Sequence, residues 1–378
     1  MLVAGWHIDP QFRLTHGGPT VRELFGTLAQ RIDVRLIAWA GAPLPLFTPS
    51  RRQVRDDRAE LVRGTQIELA LDARERPMHC HHEKLVVVDG RIAYVGGIDL
   101  TGLGGDRVDS SAHPPRGSVG WHDAAARIEG PLVGDVAAHI ALRWREVTGG
   151  EGPSHAAPPE LPGGIRAQFV RTVPNNVYDA VPKGDFRILE AYMRALRSAE
   201  RVVYLESQFL WSPEITNLLA AKLRDPPSAD FHMVVVLPSR PNNGADDTRG
   251  QLGVLVAADV DERLLACTLY QQGRRQQVYV HAKIGVVDDH WLAIGSANLN
   301  EHSFYNDTEA CILIQDPGLV AETRRALWRE HLDHAEPTFE TWRERADDDT
   351  FDRVALLPHV SRRSRHFLGP LNGLLVDG

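Results

Sequence analysis

The sequence predicts an α/β protein made of two homologous lobes, each a mixed β-sheet flanked by helices. Two observations lead to this prediction. A twenty-residue stretch occurs twice, at residues 81–100 and 280–299, with seven identical positions. Upstream of both copies, apolar runs typical of buried strands alternate with amphipathic helical patterns. Alternation of this kind indicates an α/β sheet, and its repetition indicates two similar lobes.

The elements upstream of the two copies occur in the same order. An amphipathic pattern over residues 21–31 predicts a helix, and the apolar run 34–40 predicts the strand that follows it. In the second half, residues 213–224 predict a helix with Pro213 near its start, where a missing N–H costs little. The run 233–237 predicts the buried strand after that helix. The shared order supports an internal duplication.

A segment rich in glycine, proline and alanine predicts the boundary between the lobes. We expect a first lobe at residues 1–147, a linker at 148–164, a second lobe at 165–335 and a C-terminal extension at 336–378 without an assigned role. Further elements are predicted as helices at 131–146, 185–198 and 318–334 and as strands at 202–206 and 310–314.

Composition narrows the class of protein. Hydrophobic residues make up 43% of the chain and charged residues 24%, which is ordinary for a globular protein. The net charge of −8 disfavours a general nucleic-acid binder, although it leaves room for a local basic pocket. No apolar stretch is long enough for a transmembrane helix, and residues 1–7 lack the features of a signal peptide. We expect a cytoplasmic or peripheral membrane protein whose N-terminus is compatible with truncation.

Each copy of the repeat contains the pattern His-x-Lys-x-x-x-x-Asp. The residues are His82, Lys84 and Asp89 in the first copy, and His281, Lys283 and Asp288 in the second. On a strand, side chains two positions apart point to the same face, so each histidine projects beside its lysine. This pairing suits an anionic phosphate, with lysine as a point charge and histidine as nucleophile or proton donor.

Residues that support these motifs follow each copy. Gly97 would let the backbone approach a ligand closely, and Ser296 and Asn298 offer hydrogen-bond donors for a phosphate oxygen. Asp99 stands where the second copy has Asn298 and cannot donate when ionised, so the two halves are not equivalent there.

Two carboxylates are natural partners for the histidines. They are Asp123, in Trp-His-Asp, and Glu309, in Asp-Thr-Glu. A catalytic histidine needs a partner on its second ring nitrogen to fix its tautomer and orientation.

The duplicated motif resembles the phospholipase D superfamily, which carries it twice. The similarity covers about residues 3–332. Its strongest segments are HHEKLVVVDGRIAYVGGIDLT, WHDAAARIEGP, RVVYLESQF and VYVHAKIGVVDDHWLAIGSANLNEHSF. Two departures are Ser207, where the family usually has Asn, and Glu301, where Arg is common. Two copies of the motif, each followed by a similar glycine-containing segment, are a far more specific signal than one copy.

The resemblance implies a metal-independent, two-step transfer at phosphorus, in one site between the lobes. His82 would attack the phosphodiester and form a phosphohistidine. His281 would protonate the leaving alcohol and then deprotonate the incoming water or alcohol. Lys84, Lys283 and Asn298 would hold the phosphate oxygens. The choice of His82 as nucleophile rests on the resemblance alone.

The resemblance also implies different roles for the two motif aspartates and for the two carboxylates expected to bind the histidines. Asp89 and Asp288 belong to the catalytic motifs but are expected to bond within their own lobes, and Asp123 and Glu309 are expected to orient His82 and His281.

The expected substrate is a glycerophospholipid, with water or an alcohol as acceptor and transient contact with a membrane surface. Hydrolysis and head-group exchange remain open, as does head-group preference. The alternatives are cardiolipin synthase-like transfer between two phosphatidylglycerols, then a nuclease, and last a phospholipid-binding protein without turnover. We expect no cofactor, no specific nucleic-acid partner and a monomer.

The run from His79 to His82 also raises the question of a zinc site. Adjacent side chains on a strand diverge, and the sequence offers no paired ligand set elsewhere. The sequence therefore predicts no metal site.

Overall fold

Two mixed β-sheets organise the chain. The structure is a computed structural model that describes residues 1–357 apart from residues 16, 45–46, 103–119, 154–157, 243, 272, 274–275 and 349. The first sheet contains, in spatial order, β3 (Glu68–Asp72), β2 (Arg35–Trp39), β1 (Leu2–Gly5), β4 (Lys84–Val88), β5 (Ile92–Gly96) and β7 (Ala125–Glu129).

The second sheet is larger and contains a strand from the first half of the chain. Its spatial order is β6 (Gly120–His122), β13 (Gln277–Val280), β12 (Leu264–Tyr270), β11 (His232–Val236), β10 (Val202–Glu206), β14 (Ile284–Val287), β15 (Trp291–Gly295), β16 (Glu309–Ile314), β8 (Ala167–Val173) and β9 (Asp185–Phe186), with β17 (Val354–Leu356) paired to β12.

Helices cover both sheets. They are α1 (Val21–Ala29), α2 (Arg51–Val62), α3 (Leu132–Thr148), α4 (Arg187–Ser198), α5 (Pro213–Arg224), α6 (Ala245–Ala258), α7 (Pro317–Leu332) and α8 (Phe339–Asp347), and a π-helical turn spans His302–Asn306. The helices predicted at residues 21–31, 131–146, 185–198, 213–224 and 318–334 are all present, with ends that differ by a few residues.

The two sheets share one topology, which confirms the predicted fold class. In the first, β1 and β2 are parallel, β2 and β3 are parallel, and β4 is antiparallel to β1. The second repeats these relations with β10, β11, β12 and β14. Leu2 lies opposite Val87, and Tyr204 lies opposite Val286, so Leu2 and Tyr204 are equivalent. By the same register, Trp6 is equivalent to Gln208.

Local signals set several helix ends. Thr20 and Glu23 form a capping box at the start of α1, satisfying two backbone N–H groups. Ser212 caps α5, whose first residue is a proline. Helix α3 ends at Gly149, which adopts the left-handed conformation with φ of 70°.

The hydrophobic core is continuous between the sheets. One cluster joins Leu85 and Val87 of the first sheet with Tyr204 and Ile312 of the second. A second cluster lies between the second sheet and helices α4, α5 and α6, and a third lies between the first sheet and helices α1 and α2. The two lobes thus bury a common face, and this packing fixes the position of one motif relative to the other.

The chain does not divide as cleanly as the predicted boundaries suggest. Strand β6 belongs to the first half but pairs in parallel with β13, Val280 lying opposite His122. The segment predicted as a C-terminal extension adds α8 and β17 to the second lobe, with Val354 opposite Leu269. Residues 358–378 lie outside the described part of the chain.

Candidate active site

The two His-x-Lys motifs have the same local geometry. The Nζ of Lys84 donates to the carbonyl oxygen of His82 at 2.5 Å, and the Nζ of Lys283 donates to that of His281 at 2.5 Å. All four side chains are buried. The duplication therefore extends from the fold to the way in which each lysine is held.

Each histidine takes its carboxylate from the other half of the chain. The Nδ1 of His82 lies 3.0 Å from Oε1 of Glu309, and the Nδ1 of His281 lies 2.7 Å from Oδ2 of Asp123. The expected pairing of Asp123 with His82 and of Glu309 with His281 is therefore wrong.

Backbone pairing across the lobes explains the exchange of carboxylates. The N–H of His82 donates to the carbonyl oxygen of Thr308 at 2.9 Å, and the N–H of His281 donates to that of His122 at 2.8 Å. Each acceptor is the residue immediately before a carboxylate. The segment that leads into each motif thus runs beside the carboxylate-bearing segment of the opposite half of the chain.

The carboxylates fix the tautomers of both rings. An ionised carboxylate only accepts hydrogen bonds, so each Nδ1 carries a hydrogen and each Nε2 is the nitrogen left to react. Burial alone would raise the pKa of Asp123, but the adjacent His281 and Lys283 outweigh it and hold that pKa at about 2. Asp123 is therefore ionised at neutral pH.

The positive charges of both lysines act on one histidine. Burial first, then the positive charge of Lys283, and further the charge of Lys84, lower the pKa of His281 to about 4, against the opposing effect of Asp123. Lys84 belongs to the first motif and His281 to the second. The charge of the first motif therefore acts on the histidine of the second, and His281 is neutral at neutral pH in the unliganded protein.

The surroundings of the two lysines differ. Lys84 forms an ion pair with Asp99 at 3.1 Å, and its Nζ lies 5.9 Å from the centre of the Trp6 ring. Lys283 instead lies 3.5 Å from Oε1 of Gln208, the residue equivalent to Trp6. The first lysine thus contacts a carboxylate and an aromatic ring, and at the position equivalent to that ring the second lysine meets the amide of Gln208.

The predicted supporting residues lie at the site but act mainly on the carboxylates. A Cβ added to Gly97 would collide with Oδ1 of Asp123, so glycine makes room for that carboxylate. At the equivalent position, the hydroxyl of Ser296 donates to Glu309. Asn298 lies deeper, with its Oδ1 accepting from the backbone N–H of Gln208 at 3.2 Å.

The two motif aspartates do not join the histidines. Asp288 stands in the turn after β14, with φ of 52°, and accepts the backbone N–H groups of Glu200, Arg201 and Val202 at 2.7, 2.7 and 2.8 Å. Asp89 occupies the equivalent turn after β4, also with φ of 52°, and is exposed. Both lie in turns of their own lobes, and Asp288 bonds there as the resemblance implied.

Sequence reasoning missed a buried charge network behind the first motif. Glu83 lies between His82 and Lys84 and points the opposite way, to Arg143 and to His139 at 2.7 Å. Arg143 also binds Asp72 at 2.8 Å. A charged residue at the inward position of a buried strand is the signal that could have revealed this network.

A second network lies behind Asp123. The Nε2 of His122 is 2.6 Å from Oε2 of Glu206, and the Nε2 of His331 is 3.0 Å from Oε1. Burial opposes protonation, yet Glu206 raises the pKa of His122 to about 9, and His122 holds the pKa of Glu206 far below its usual range. This buried ion pair anchors the residue next to Asp123.

Gln208 joins the site to its rim. Its Nε2 donates to the hydroxyl of Tyr279 at 2.9 Å and to Oδ1 of Asn242 at 3.0 Å. Asn242 belongs to the polar segment between β11 and α6, and Tyr279 stacks on Trp121 with ring centres 4.7 Å apart. Trp121 also approaches His281, at 5.1 Å between ring centres.

The arrangement offers two imidazoles with their reactive nitrogens set, two lysine ammonium groups and nearby amides. These groups complement an anionic, tetrahedral phosphoryl group. Across the described residues, no helix combines the length and apolar character needed to cross a membrane.

Several known proteins are similar to this chain in sequence. Residues 192–330 match the family model described as cardiolipin synthase, PLD-like domain. The chain is 24% identical to phospholipase D A of Dictyostelium discoideum over 88% of its own length and 33% of that protein. It is 29% identical to cardiolipin synthase A of Pseudomonas putida over 77% of its own length and 54% of that protein.

A solved structure shows a similar fold. Phosphatidylserine synthase of Haemophilus influenzae superposes with a TM-score of 0.54 and 11% identity, over 87% of this chain and 81% of that one. The chain spans about a third to a half of the length of the curated relatives it matches. Family match, relatives and fold agree with the duplicated motif, and the chain is similar to proteins of the phospholipase D superfamily.

Proposed function

We propose that this chain is a phosphodiesterase or phosphatidyltransferase that acts on glycerophospholipids through a phosphohistidine on His82. The observation that carries the proposal is the crossed pairing of two histidines with two carboxylates in one site that also holds both lysines. The lipid substrate is supported by the relatives, which are named phospholipase D and cardiolipin synthase.

In the first step, Nε2 of His82 attacks phosphorus, an N–P bond forms, and the bond from phosphorus to the head-group oxygen breaks. Glu309 stabilises the positive charge that develops on the ring, since it accepts from Nδ1 of His82 and from the hydroxyl of Ser303 at 2.6 Å. The Nε2–H of His281 gives its proton to the leaving oxygen.

In the second step, water or an alcohol loses a proton to Nε2 of His281, its oxygen attacks phosphorus, and the N–P bond breaks. Hydrolysis gives phosphatidic acid, and an alcohol gives a new phosphatidyl ester. The two reactions share every protein group, so the acceptor alone distinguishes them.

The first step requires a protonated His281, which the unliganded site does not favour. The charges of Lys84 and Lys283 contribute to the low pKa of that ring. A phosphodiester anion held between the lysines offsets their charge and raises the pKa of His281. Substrate binding is thereby coupled to proton uptake by the general acid.

Product analysis tests the proposal. Phosphatidylcholine micelles containing a few per cent 1-butanol are incubated with wild type, with His82→Ala and with His290→Ala, which changes an exposed histidine in the turn after β14. We expect phosphatidic acid and phosphatidylbutanol from wild type and His290→Ala and neither from His82→Ala. Intact phosphatidylcholine, phosphatidylglycerol and phosphatidylethanolamine with all three proteins would contradict a lipid substrate.

A second candidate is the joining of two phosphatidylglycerols into cardiolipin. It is favoured by the family model over residues 192–330 and by the relative from Pseudomonas putida. Here the hydroxyl of a second lipid takes the place of water or butanol. Cardiolipin formed from phosphatidylglycerol alone, at a rate above that of phosphatidic acid, would favour this acceptor.

A further inference from the structure

A cluster of metal-ligand side chains lies between the lobes, outside the catalytic pairs. His79 precedes the first motif, His302 opens the π-helical turn, and Asp307 follows that turn. The exposed fraction is 8% for His79 and 0% for His302 and Asp307. In the sequence, no other metal ligands were recognised as partners for His79. In the folded chain, two such residues from a segment more than two hundred residues away lie beside it.

The donor atoms of the cluster face one another. The Nδ1 atoms of His79 and His302 are 3.0 Å apart. The Nδ1 of His79 is 3.4 Å from Oδ1 of Asp307, and that of His302 is 4.0 Å from Oδ2. Tetrahedral zinc with ligands at about 2.0–2.1 Å separates its donor atoms by roughly 3.3 Å. For a site that uses Oδ2, the distances of 3.0 Å between the two Nδ1 atoms and 4.0 Å from His302 to Oδ2 lie on either side of that value, and one donor atom from each residue lies within 4.8 Å of the others.

The carboxylate of Asp307 needs a cation. Its Oδ1 accepts the backbone N–H of Cys80 at 2.8 Å, but its buried Oδ2 has no hydrogen-bond partner among the described residues. A buried carboxylate with one free oxygen is costly unless it is paired with positive charge or coordinates a metal. Two imidazole nitrogens and one carboxylate oxygen are a ligand set that zinc accepts.

A second cluster of two histidines and a carboxylate has no such unbonded carboxylate oxygen. In the cluster of His122, Glu206 and His331, Oε2 of Glu206 accepts from His122, and Oε1 accepts from His331 and from the hydroxyl of Tyr204. Both carboxylate oxygens are therefore satisfied by hydrogen bonds. This cluster is a matched control, because it also combines two histidines with one carboxylate and all three of its residues are buried.

We propose that His79, His302 and Asp307 bind a divalent transition metal, with zinc as the best fit, and that the metal ties the two lobes together beside the active site. The metal has a structural role and takes no part in the chemistry at phosphorus. The two lobes are in contact next to the cluster, because the N–H of Thr308 donates to the carbonyl oxygen of Cys80.

The test uses the full chain without a histidine tag, stripped with chelator, loaded with zinc alone and desalted. Metal content is measured by mass spectrometry for wild type, His79→Gln, His302→Gln and the control His331→Gln. We expect one retained zinc per chain in wild type and in His331→Gln, and its loss in both other variants. Cobalt loading should give an intense visible absorption band in the same two proteins that retain zinc.

Two results would overturn the proposal. One is a wild type that retains no zinc, in which case the two imidazoles share a proton. The other is retention lost in His331→Gln but kept in His79→Gln and His302→Gln. If both of the latter variants fail to fold by circular dichroism, the cobalt spectra of wild type and His331→Gln decide, and the absence of the band refutes the site.

Discussion

The two histidine motifs have the same pattern of hydrogen bonds, but the carboxylates that bind them differ in the number of groups that hold them. In both, a lysine binds the carbonyl oxygen of its own histidine, and a carboxylate from the opposite lobe binds Nδ1. Glu309 also accepts hydrogen bonds from the hydroxyls of two serines. Asp123 accepts one backbone N–H besides His281, that of Ala124 at 2.8 Å.

The surroundings of the two histidines differ in ways that fit the different roles proposed for them. His82 is the more buried histidine, and its carboxylate is held by three donors, which suits a nucleophile that must present one nitrogen to phosphorus. His281 lies beside Trp121 and Tyr279 at the rim, which suits a group that exchanges protons with leaving and incoming alcohols. The duplication accounts for two similar histidines, and their different surroundings support the proposed division of roles.

The largest effect is expected from removing either histidine. His82→Ala and His281→Ala should each lower turnover of phospholipid by on the order of 10⁴-fold or more. The roles separate with a nitrophenyl phosphodiester, whose leaving group departs without a proton. His281→Ala should regain release of nitrophenol in a single-turnover measurement, whereas His82→Ala should not. Equal rescue of both variants would contradict the assignment of roles.

The carboxylates should give the next largest effect. We expect Glu309→Gln and Asp123→Asn to lower turnover by about 10²–10⁴-fold, as loss of the orienting carboxylate does in a catalytic triad. The crossed pairing adds a sharper test by NMR titration of His281. Asp123 raises the pKa of His281, so Asp123→Asn should lower that pKa below about 4, and Glu309→Gln should leave it unchanged. The opposite pattern would show that the carboxylates are not exchanged.

A smaller effect is expected on the pH dependence of the unliganded site. The charges of Lys283 and Lys84 both lower the pKa of His281, and that of Lys283 has the greater effect. Lys283→Met and Lys84→Met should therefore each raise that pKa, the former by more. The same NMR titration measures this, with Lys222→Met as a control on α5. An unchanged pKa in Lys84→Met would mean that the two motifs do not share one site.

The smallest effect concerns stability, through the buried pair of His122 and Glu206. The pKa of His122 is raised from an ordinary value near 6.5 to about 9. Its contribution is therefore complete below pH 6.5 and is lost as the pH rises through 9. We expect the free energy of unfolding in urea to fall by about 1–3 kcal/mol between pH 6.5 and pH 10. Glu206→Gln should lack this dependence, and a wild type with the same flat profile would refute the ion pair.

The predictions of the fold class and of the candidate site both depended on the duplicated motif. Strand periodicity placed His82 beside Lys84 and His281 beside Lys283, because residues two apart share a face of a strand. It could not assign the carboxylates, because their exchange depends on which strand of the opposite lobe runs beside each motif. Pairing in sequence order gave the wrong answer for that reason.

Other features needed the three-dimensional arrangement. The placement of β6 in the second sheet depends on long-range pairing that no local pattern encodes. The role of Gly97 became clear only from its closeness to Asp123, and the ligands that complete His79 lie in another lobe. Local patterns determine helices and motifs, whereas contacts between distant segments determine which groups meet.

The measurement that tests the central claim most directly is localisation of the covalent intermediate. Wild type is mixed with phosphatidylcholine, quenched in base within one turnover, digested and sequenced by mass spectrometry. A phosphohistidine on His82, absent from His82→Ala, is the predicted result. An adduct on His281, or product formation with no adduct on either histidine, would contradict the proposed mechanism.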